Sequence, residues 1–137
     1  MYENEPVKSP AAARILYVED DFDSGELIRF LLSRENDNYD ITVVATFAEA
    51  VKLINQRPFN LYIIDYCLPS KSGIQLCRYI RQIDKETPIL FYSAIGRRAD
   101  RDRAMKEGAS DYLVKPADLE VLTKRVNQLL FEWALKK

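Results

Sequence analysis

Four short apolar runs of this sequence each end in residues that can take part in chemistry. In chain order these residues are Glu19 with Asp20, Asp65, Ser93 and Lys115. A carboxylate at the margin of an apolar segment is costly to remove from water unless a positive charge or a hydrogen-bond donor pairs with it. The pattern therefore predicts a site in which acidic groups are neutralised by a cation.

The chain of 137 residues contains no histidine and only two cysteines, Cys67 and Cys77. The lack of histidine excludes serine and cysteine triads of the usual kind, histidine bases and imidazole metal ligands. Two cysteines alone cannot complete a zinc site or a disulfide framework. Any chemistry must therefore use carboxylates, lysine, hydroxyl groups or thiols.

Basic and acidic residues are nearly balanced, 20 against 21, which leaves a net charge of −1. This balance gives no reason to expect nucleic acid or an anionic membrane as a partner. No apolar run reaches membrane-spanning length, and the first residues lack the apolar core of a signal peptide. We expect a soluble, cytoplasmic protein with a loosely ordered leader over residues 1–13 and a single domain over residues 14–134.

Apolar runs that predict strands alternate with amphipathic segments that predict helices. The strand runs are RILYV, ITVVA, NLYII, PILFYS and DYLVK. Two helices begin with capping boxes, at Thr46 and at Ser72, and the first helix has Asp23 or Ser24 available as its N-cap. Most strand runs are continuously apolar, as in parallel sheets that helices cover on both faces. The pattern predicts a flavodoxin-like, doubly wound α/β domain with five parallel strands in the order 2-1-3-4-5.

In an open parallel sheet, ligands bind at the carboxyl ends of the strands. If the first, third, fourth and fifth strands are neighbours, the chemical groups at their ends share one pocket. Three carboxylates so close together repel one another, and Mg²⁺ with its preference for oxygen ligands would neutralise them. Ser93 and Lys115 could bind phosphoryl oxygens, and Asp65 would be a nucleophile that forms an aspartyl phosphate.

From about residue 14 to residue 134 the sequence resembles the receiver domain of two-component response regulators. The resemblance rests on four pieces in the right order, ILYVEDD, LYIIDYCLPSKSG, FYSA and DYLVKP. It implies that Asp65 accepts a phosphoryl group from a phosphohistidine on a partner histidine kinase or phosphotransfer protein. It also implies a set of Mg²⁺ ligands made of Glu19, Asp20, Asp65 and the backbone carbonyl of Cys67.

The same resemblance assigns roles to the residues on the far side of the site. Ser93 and Lys115 would contact the phosphoryl oxygens, and Tyr112 would turn inward when Ser93 moves toward the phosphate. The Lys115–Pro116 peptide is expected to be cis. For Asp21, the third acid of the first cluster, helix capping is favoured over metal binding.

The implied function is a phosphorylation-controlled signalling switch, which carries out its own phosphorylation and dephosphorylation chemistry but is not a turnover enzyme. Because no output domain follows the last helix, we expect a stand-alone receiver that docks on a downstream protein whose identity the sequence does not give. The polar run at residues 97–103 is either a solvated helix face or part of that docking surface.

Three other interpretations remain open. A phosphohydrolase with an aspartyl-phosphate intermediate usually needs a second acid two residues after the nucleophile, where this chain has Cys67. An interaction module that no longer depends on phosphate would not need the acidic set and Lys115. The chain could also be the receiver segment of a longer hybrid kinase or regulator.

Overall fold

The computed structural model describes residues 12–136, which form five strands that alternate with five helices. The strands are β1 Ala13–Val18, β2 Tyr39–Val44, β3 Leu61–Ile64, β4 Ile89–Ser93 and β5 Asp111–Val114. The helices are α1 Phe22–Glu35, α2 Phe47–Gln56, α3 Gly73–Ile83, α4 Arg98–Lys106 and α5 Leu119–Leu135. The predicted leader, residues 1–13, lies outside the described residues except for its last two, and the second of these begins β1.

The five strands form one sheet in the order β2-β1-β3-β4-β5, and all the pairs are parallel. This confirms the predicted flavodoxin-like topology. In the centre of the sheet, Val18 at the end of β1 is in register with Ile64 at the end of β3, and Ile64 is in register with Phe91 of β4. The carboxyl ends of these strands therefore lie side by side along one edge.

Each face of the sheet has its own hydrophobic core. On one face, Leu16, Tyr62 and Phe91 pack with apolar residues of α2, α3 and α4. On the other face, Ile15, Ile63 and Leu90 pack with residues of α1 and α5. Successive strand residues point to opposite faces, so both sets are buried. This explains why most of the strand sequences are continuously apolar.

Helices α1, α2 and α3 each follow a residue whose side chain accepts a backbone N–H of the first turn. The capping box of Ser72 and Gln75 is present at α3, and the Thr46 hydroxyl accepts the Glu49 N–H at α2. The N-cap of α1 is Asp21, which confirms the capping role favoured for this residue from the sequence. The prediction of Asp23 or Ser24 as the N-cap is wrong. The reason is that the Asp21 carboxylate accepts both the backbone N–H and the hydroxyl of Ser24, at 3.0 and 2.6 Å.

Helix α5 is the longest of the helices, with 17 residues. Across residues 12–136, no helix is both long enough and apolar enough to cross a membrane.

Candidate functional site

Asp65 follows β3 directly and lies at the centre of the candidate site. Its backbone N–H donates to the carbonyl of Val18 at 3.1 Å, which fixes it beside the end of β1. The residue is only 7% exposed. One carboxylate oxygen accepts the Ser93 hydroxyl at 2.8 Å and the backbone N–H of Cys67 at 3.1 Å. The other accepts the Lys115 ammonium at 2.9 Å.

Glu19 is the second buried acid of the site, and protein donors reach both of its carboxylate oxygens. The Tyr17 hydroxyl donates to Oε1 at 3.1 Å, and the backbone N–H of Asp21 donates to Oε2 at 3.1 Å. The Lys115 ammonium also donates to Oε1. Burial raises the pKa of Glu19, while the hydrogen bond from Lys115 acts in the opposite direction.

Lys115 therefore bridges two carboxylates that follow different strands, Glu19 after β1 and Asp65 after β3. Burial alone would lower the pKa of Lys115, but its hydrogen bonds to Asp65 and Glu19 outweigh that effect and raise the pKa. The side chain thus remains an ammonium at neutral pH. The Lys115–Pro116 peptide is cis, as the resemblance implied.

Asp20 and Cys67 lie at the solvent side of the same cluster, and both are exposed. The pKa of the Cys67 thiol is raised by partial burial and by the charges of Asp65, Asp100 and Asp20. The thiol is therefore protonated at neutral pH and is not a reactive thiolate.

By residue type and charge, the acidic cluster suits a hard divalent cation. Glu19, Asp20 and Asp65 carry three negative charges against the single positive charge of Lys115, so two negative charges remain in the cluster. Carboxylate oxygens are the ligands that Mg²⁺ prefers. Within residues 12–136, no group of three acidic or cysteine side chains is arranged so that it could hold a metal ion. Lys115 lies between Glu19 and Asp65 in this arrangement, and the predicted ligand set remains a prediction.

Tyr112 is buried in the protein, with 1% of its surface exposed. Its ring stacks on Phe91, with centroids 5.6 Å apart, and meets the edge of Tyr66 at 6.5 Å. Its hydroxyl donates to the backbone carbonyl of Ile95 at 2.6 Å. Burial raises the pKa of Tyr112 to about 12, so the hydroxyl remains a donor.

A continuous path of contacts connects Asp65 with Tyr112. The Ser93 hydroxyl donates to Asp65 and accepts the backbone N–H of Ile95 at 3.3 Å. The carbonyl of Ile95 in turn accepts the Tyr112 hydroxyl. The structure thus places Ser93 and Lys115 in direct contact with Asp65 and joins Tyr112 to Ser93 through the backbone of Ile95.

Two residues at the site were not identified from the sequence. A Cβ atom at Gly73 would lie 2.2 Å from the carbonyl oxygen of Asp65, so only glycine lets α3 begin this close to the end of β3. Tyr17 precedes Glu19 by two residues. The strand period of two places both side chains on the same face of β1, and this was the signal that could have revealed the contact.

The comparisons with known proteins identify the family. The family model described as "Response regulator receiver domain" matches residues 15–127. The chain therefore belongs to the response regulator receiver domain family. Members of this family are generally signalling switches rather than classical enzymes, and they are generally Mg²⁺-dependent.

Curated relatives of the chain include response regulators from several bacteria. This chain is 34% identical to response regulator ArlR of Staphylococcus epidermidis, over 85% of this chain and 52% of that protein. It is 37% identical to response regulator protein PmrA of Pseudomonas aeruginosa, with the same coverage of both chains. The chain thus spans about half the length of these regulators.

Solved structures of receiver domains match the fold closely. The receiver domain of the Francisella response regulator 1452 has a TM-score of 0.80 and 31% identity, over 88% of this chain and 98% of that one. The BeF3-activated N-terminal receiver domain of Klebsiella pneumoniae RstA has a TM-score of 0.79 and 30% identity, over 85% of this chain and 97% of that one.

Proposed function

We propose that this protein is a phosphorylation-controlled signalling switch that accepts a phosphoryl group on Asp65. The donor would be a phosphohistidine on a histidine kinase or a phosphotransfer protein. One observation carries the proposal: the Ser93 hydroxyl and the Lys115 ammonium reach different oxygens of the same buried carboxylate, at 2.8 and 2.9 Å. Such an arrangement suits a group that gains charged oxygens and needs donors on more than one side.

The transfer step uses Asp65 as the nucleophile. One of its carboxylate oxygens attacks phosphorus and forms an acyl phosphate, while the bond from phosphorus to the donor imidazole nitrogen breaks and its electron pair stays on that nitrogen. Lys115 would then move its hydrogen bond from the Asp65 carboxylate to a phosphoryl oxygen. Glu19, Asp20, Asp65 and the Cys67 carbonyl would hold Mg²⁺, which supplies positive charge against the phosphoryl oxygens.

The signal would leave the site along the contacts of Ser93. A phosphoryl oxygen offers the Ser93 hydroxyl a stronger acceptor, because hydrogen bonds to charged groups are the stronger ones. The ring of Tyr112 is already buried here, in the inward position that the resemblance associates with Ser93 drawn toward the phosphate. Phosphorylation would then favour this arrangement over others in a two-state equilibrium.

The output would be docking of a downstream protein on the surface formed by α4, β5 and α5. Ser93 leads into α4 and Tyr112 lies in β5, so these elements respond first. The chain spans about half the length of the curated regulators. The proposal applies equally to a receiver that acts alone and to the receiver part of a longer regulator.

The proposal is tested by incubating the protein with acetyl phosphate and Mg²⁺ and measuring the intact mass. The wild type should gain one hydroxylamine-labile phosphoryl group, and the Asp65→Asn variant should gain none. Asp23→Asn, which changes an exposed acid in the first turn of α1, is the matched control and should be labelled like the wild type. Equal labelling of the wild type and Asp65→Asn would overturn the assignment.

A further inference from the structure

The hydrogen bond between Tyr17 and Glu19 lies beneath the acidic cluster. Both residues are buried, with exposed fractions of 0% and 3%. The Tyr17 ring belongs to the core between the sheet and helices α1 and α5, where it packs in one cluster with Ile28 and Leu122. A ring fixed in this way holds its hydroxyl at a defined place, which is 3.1 Å from Oε1 of Glu19.

Glu19 needs such a fixed donor more than an aspartate would. Its side chain has one more rotatable bond, so a defined orientation of its carboxylate costs more conformational entropy. The Lys115 ammonium also reaches Oε1, but it is shared with Asp65 and would follow a phosphoryl group bound there. The Tyr17 hydroxyl stays protonated, because burial and the charge of Glu19 raise its pKa.

We propose that Tyr17 is a positioning residue of the magnesium site: its hydroxyl holds Glu19 in the orientation in which the carboxylate serves the metal. The inference rests on the proposed function, since it needs Mg²⁺ to bind at this cluster. Residues that orient metal ligands from behind affect metal affinity by roughly 10- to 100-fold when they are replaced. Tyr17 occupies that place for Glu19.

The test measures the Mg²⁺ dissociation constant from backbone amide chemical shifts in NMR titrations. Tyr17→Phe removes only the hydroxyl and should raise the dissociation constant about tenfold. The matched control is Tyr62→Phe, since Tyr62 is also a buried strand tyrosine, is 1% exposed and packs on Phe59 on the opposite face of the sheet. This control should keep the wild-type affinity.

A second pair of variants separates positioning from a general loosening of the core. Aspartate is one methylene shorter than glutamate, so Glu19→Asp should no longer reach the Tyr17 hydroxyl. When Tyr17→Phe is added to Glu19→Asp, the dissociation constant should therefore change less than about twofold. A purely structural role of Tyr17 would weaken Mg²⁺ binding equally in both backgrounds and would overturn the inference.

The wild type provides a further measurement that does not depend on how well a variant folds. The ¹³C ring signal of Tyr17 should shift during the Mg²⁺ titration, and that of Tyr62 should not. If the wild type does not bind Mg²⁺, both the proposed magnesium-dependent function and this inference fail. If the wild type binds Mg²⁺ and Tyr17→Phe binds it equally well, only the inference fails.

Discussion

Lys115 holds together two buried carboxylates that would otherwise repel each other. Its side chain is 18% exposed, while those of Glu19 and Asp65 are 2% and 10% exposed. Breaking a buried ion pair by removing one partner is strongly destabilising, because the remaining charge is left uncompensated. We therefore expect Lys115→Ala to lower the free energy of unfolding by about 3 kcal/mol without divalent ions.

Magnesium should reverse part of that loss, because a divalent cation would supply the positive charge that the variant lacks. Thermal unfolding with and without Mg²⁺ measures this, and the increase in the melting temperature should be larger for Lys115→Ala than for the wild type. Lys52→Ala, at an exposed position of α2, is the control for the loss of a lysine. An equal increase in melting temperature for Lys115→Ala and the wild type would show that Mg²⁺ does not replace the missing charge of Lys115.

Cys67 and Ile95 stand two positions after Asp65, the proposed phosphoacceptor, and two positions after Ser93, respectively. Hydrolysis of an acyl phosphate requires a water molecule placed in line with the bond that breaks, and such positioning is worth a large rate factor. Neither a protonated thiol nor an isoleucine orients water well. We expect slow loss of the phosphoryl group, and the double variant Cys67→Asn with Ile95→Glu should shorten its lifetime about tenfold.

The lifetime is measured as the decay of the phosphorylated mass with time. The hydrogen bonds of residue 95 involve its backbone N–H and carbonyl, so the substitution there leaves the path to Tyr112 in place. A double variant with an unchanged lifetime would show that these two side chains do not control hydrolysis.

At the level of single elements, the start of α1 separates two acids that are adjacent in the sequence. Asp21 caps the helix through Ser24, whereas Asp20 belongs to the predicted metal ligands. Asp21→Ala should lower the melting temperature by a few degrees and leave phosphorylation of Asp65 unchanged. Asp23→Ala is the control, because Asp23 lies in the first turn of α1 but does not cap it.

The effect of Asp21→Ala should depend on pH in a defined direction. The hydrogen bonds from Ser24 lower the pKa of the Asp21 carboxyl below its ordinary value. A lowered pKa in the folded state gives stability that is present above the ordinary pKa of aspartate and is lost as the pH falls through the folded value. The difference in melting temperature should therefore be full at neutral pH and shrink in acid. A constant difference would contradict the capping role of the carboxylate.

At the scale of the whole molecule, the sequence was sufficient to predict the topology of the sheet and the residues that meet at the carboxyl ends of its strands. The continuously apolar strands and the acids that follow them indicate a parallel sheet with a site at its carboxyl ends, and this is what the structure has. Contacts that depend on the exact distances between elements could not be predicted from the sequence in this way. The Lys115 bridge and the close approach of Gly73 to Asp65 are of that kind.

The sheet order and the hydrogen bonds also indicate which part of the protein would respond to the proposed phosphorylation. The hydrogen-bonded path from Asp65 runs through Ser93 and Ile95 to Tyr112. It therefore leads toward β5, which forms one edge of the sheet, while β2 forms the other edge. The aromatic ring of Tyr112 extends the path by stacking on Phe91 of β4.

We therefore expect hydrogen exchange to change mainly over residues 93–115 when the site is loaded with BeF3 and Mg²⁺, the reagent named for the activated RstA receiver domain. Loading should alter the acceptor of the Ser93 hydroxyl, and the change should pass along the bonded path to α4 and β5. Asp65→Asn should show no such change, and Tyr112→Phe, which lacks the bond to Ile95, should show a smaller one. Changes confined to residues 24–57, on the β2 side of the sheet, would refute this direction of coupling.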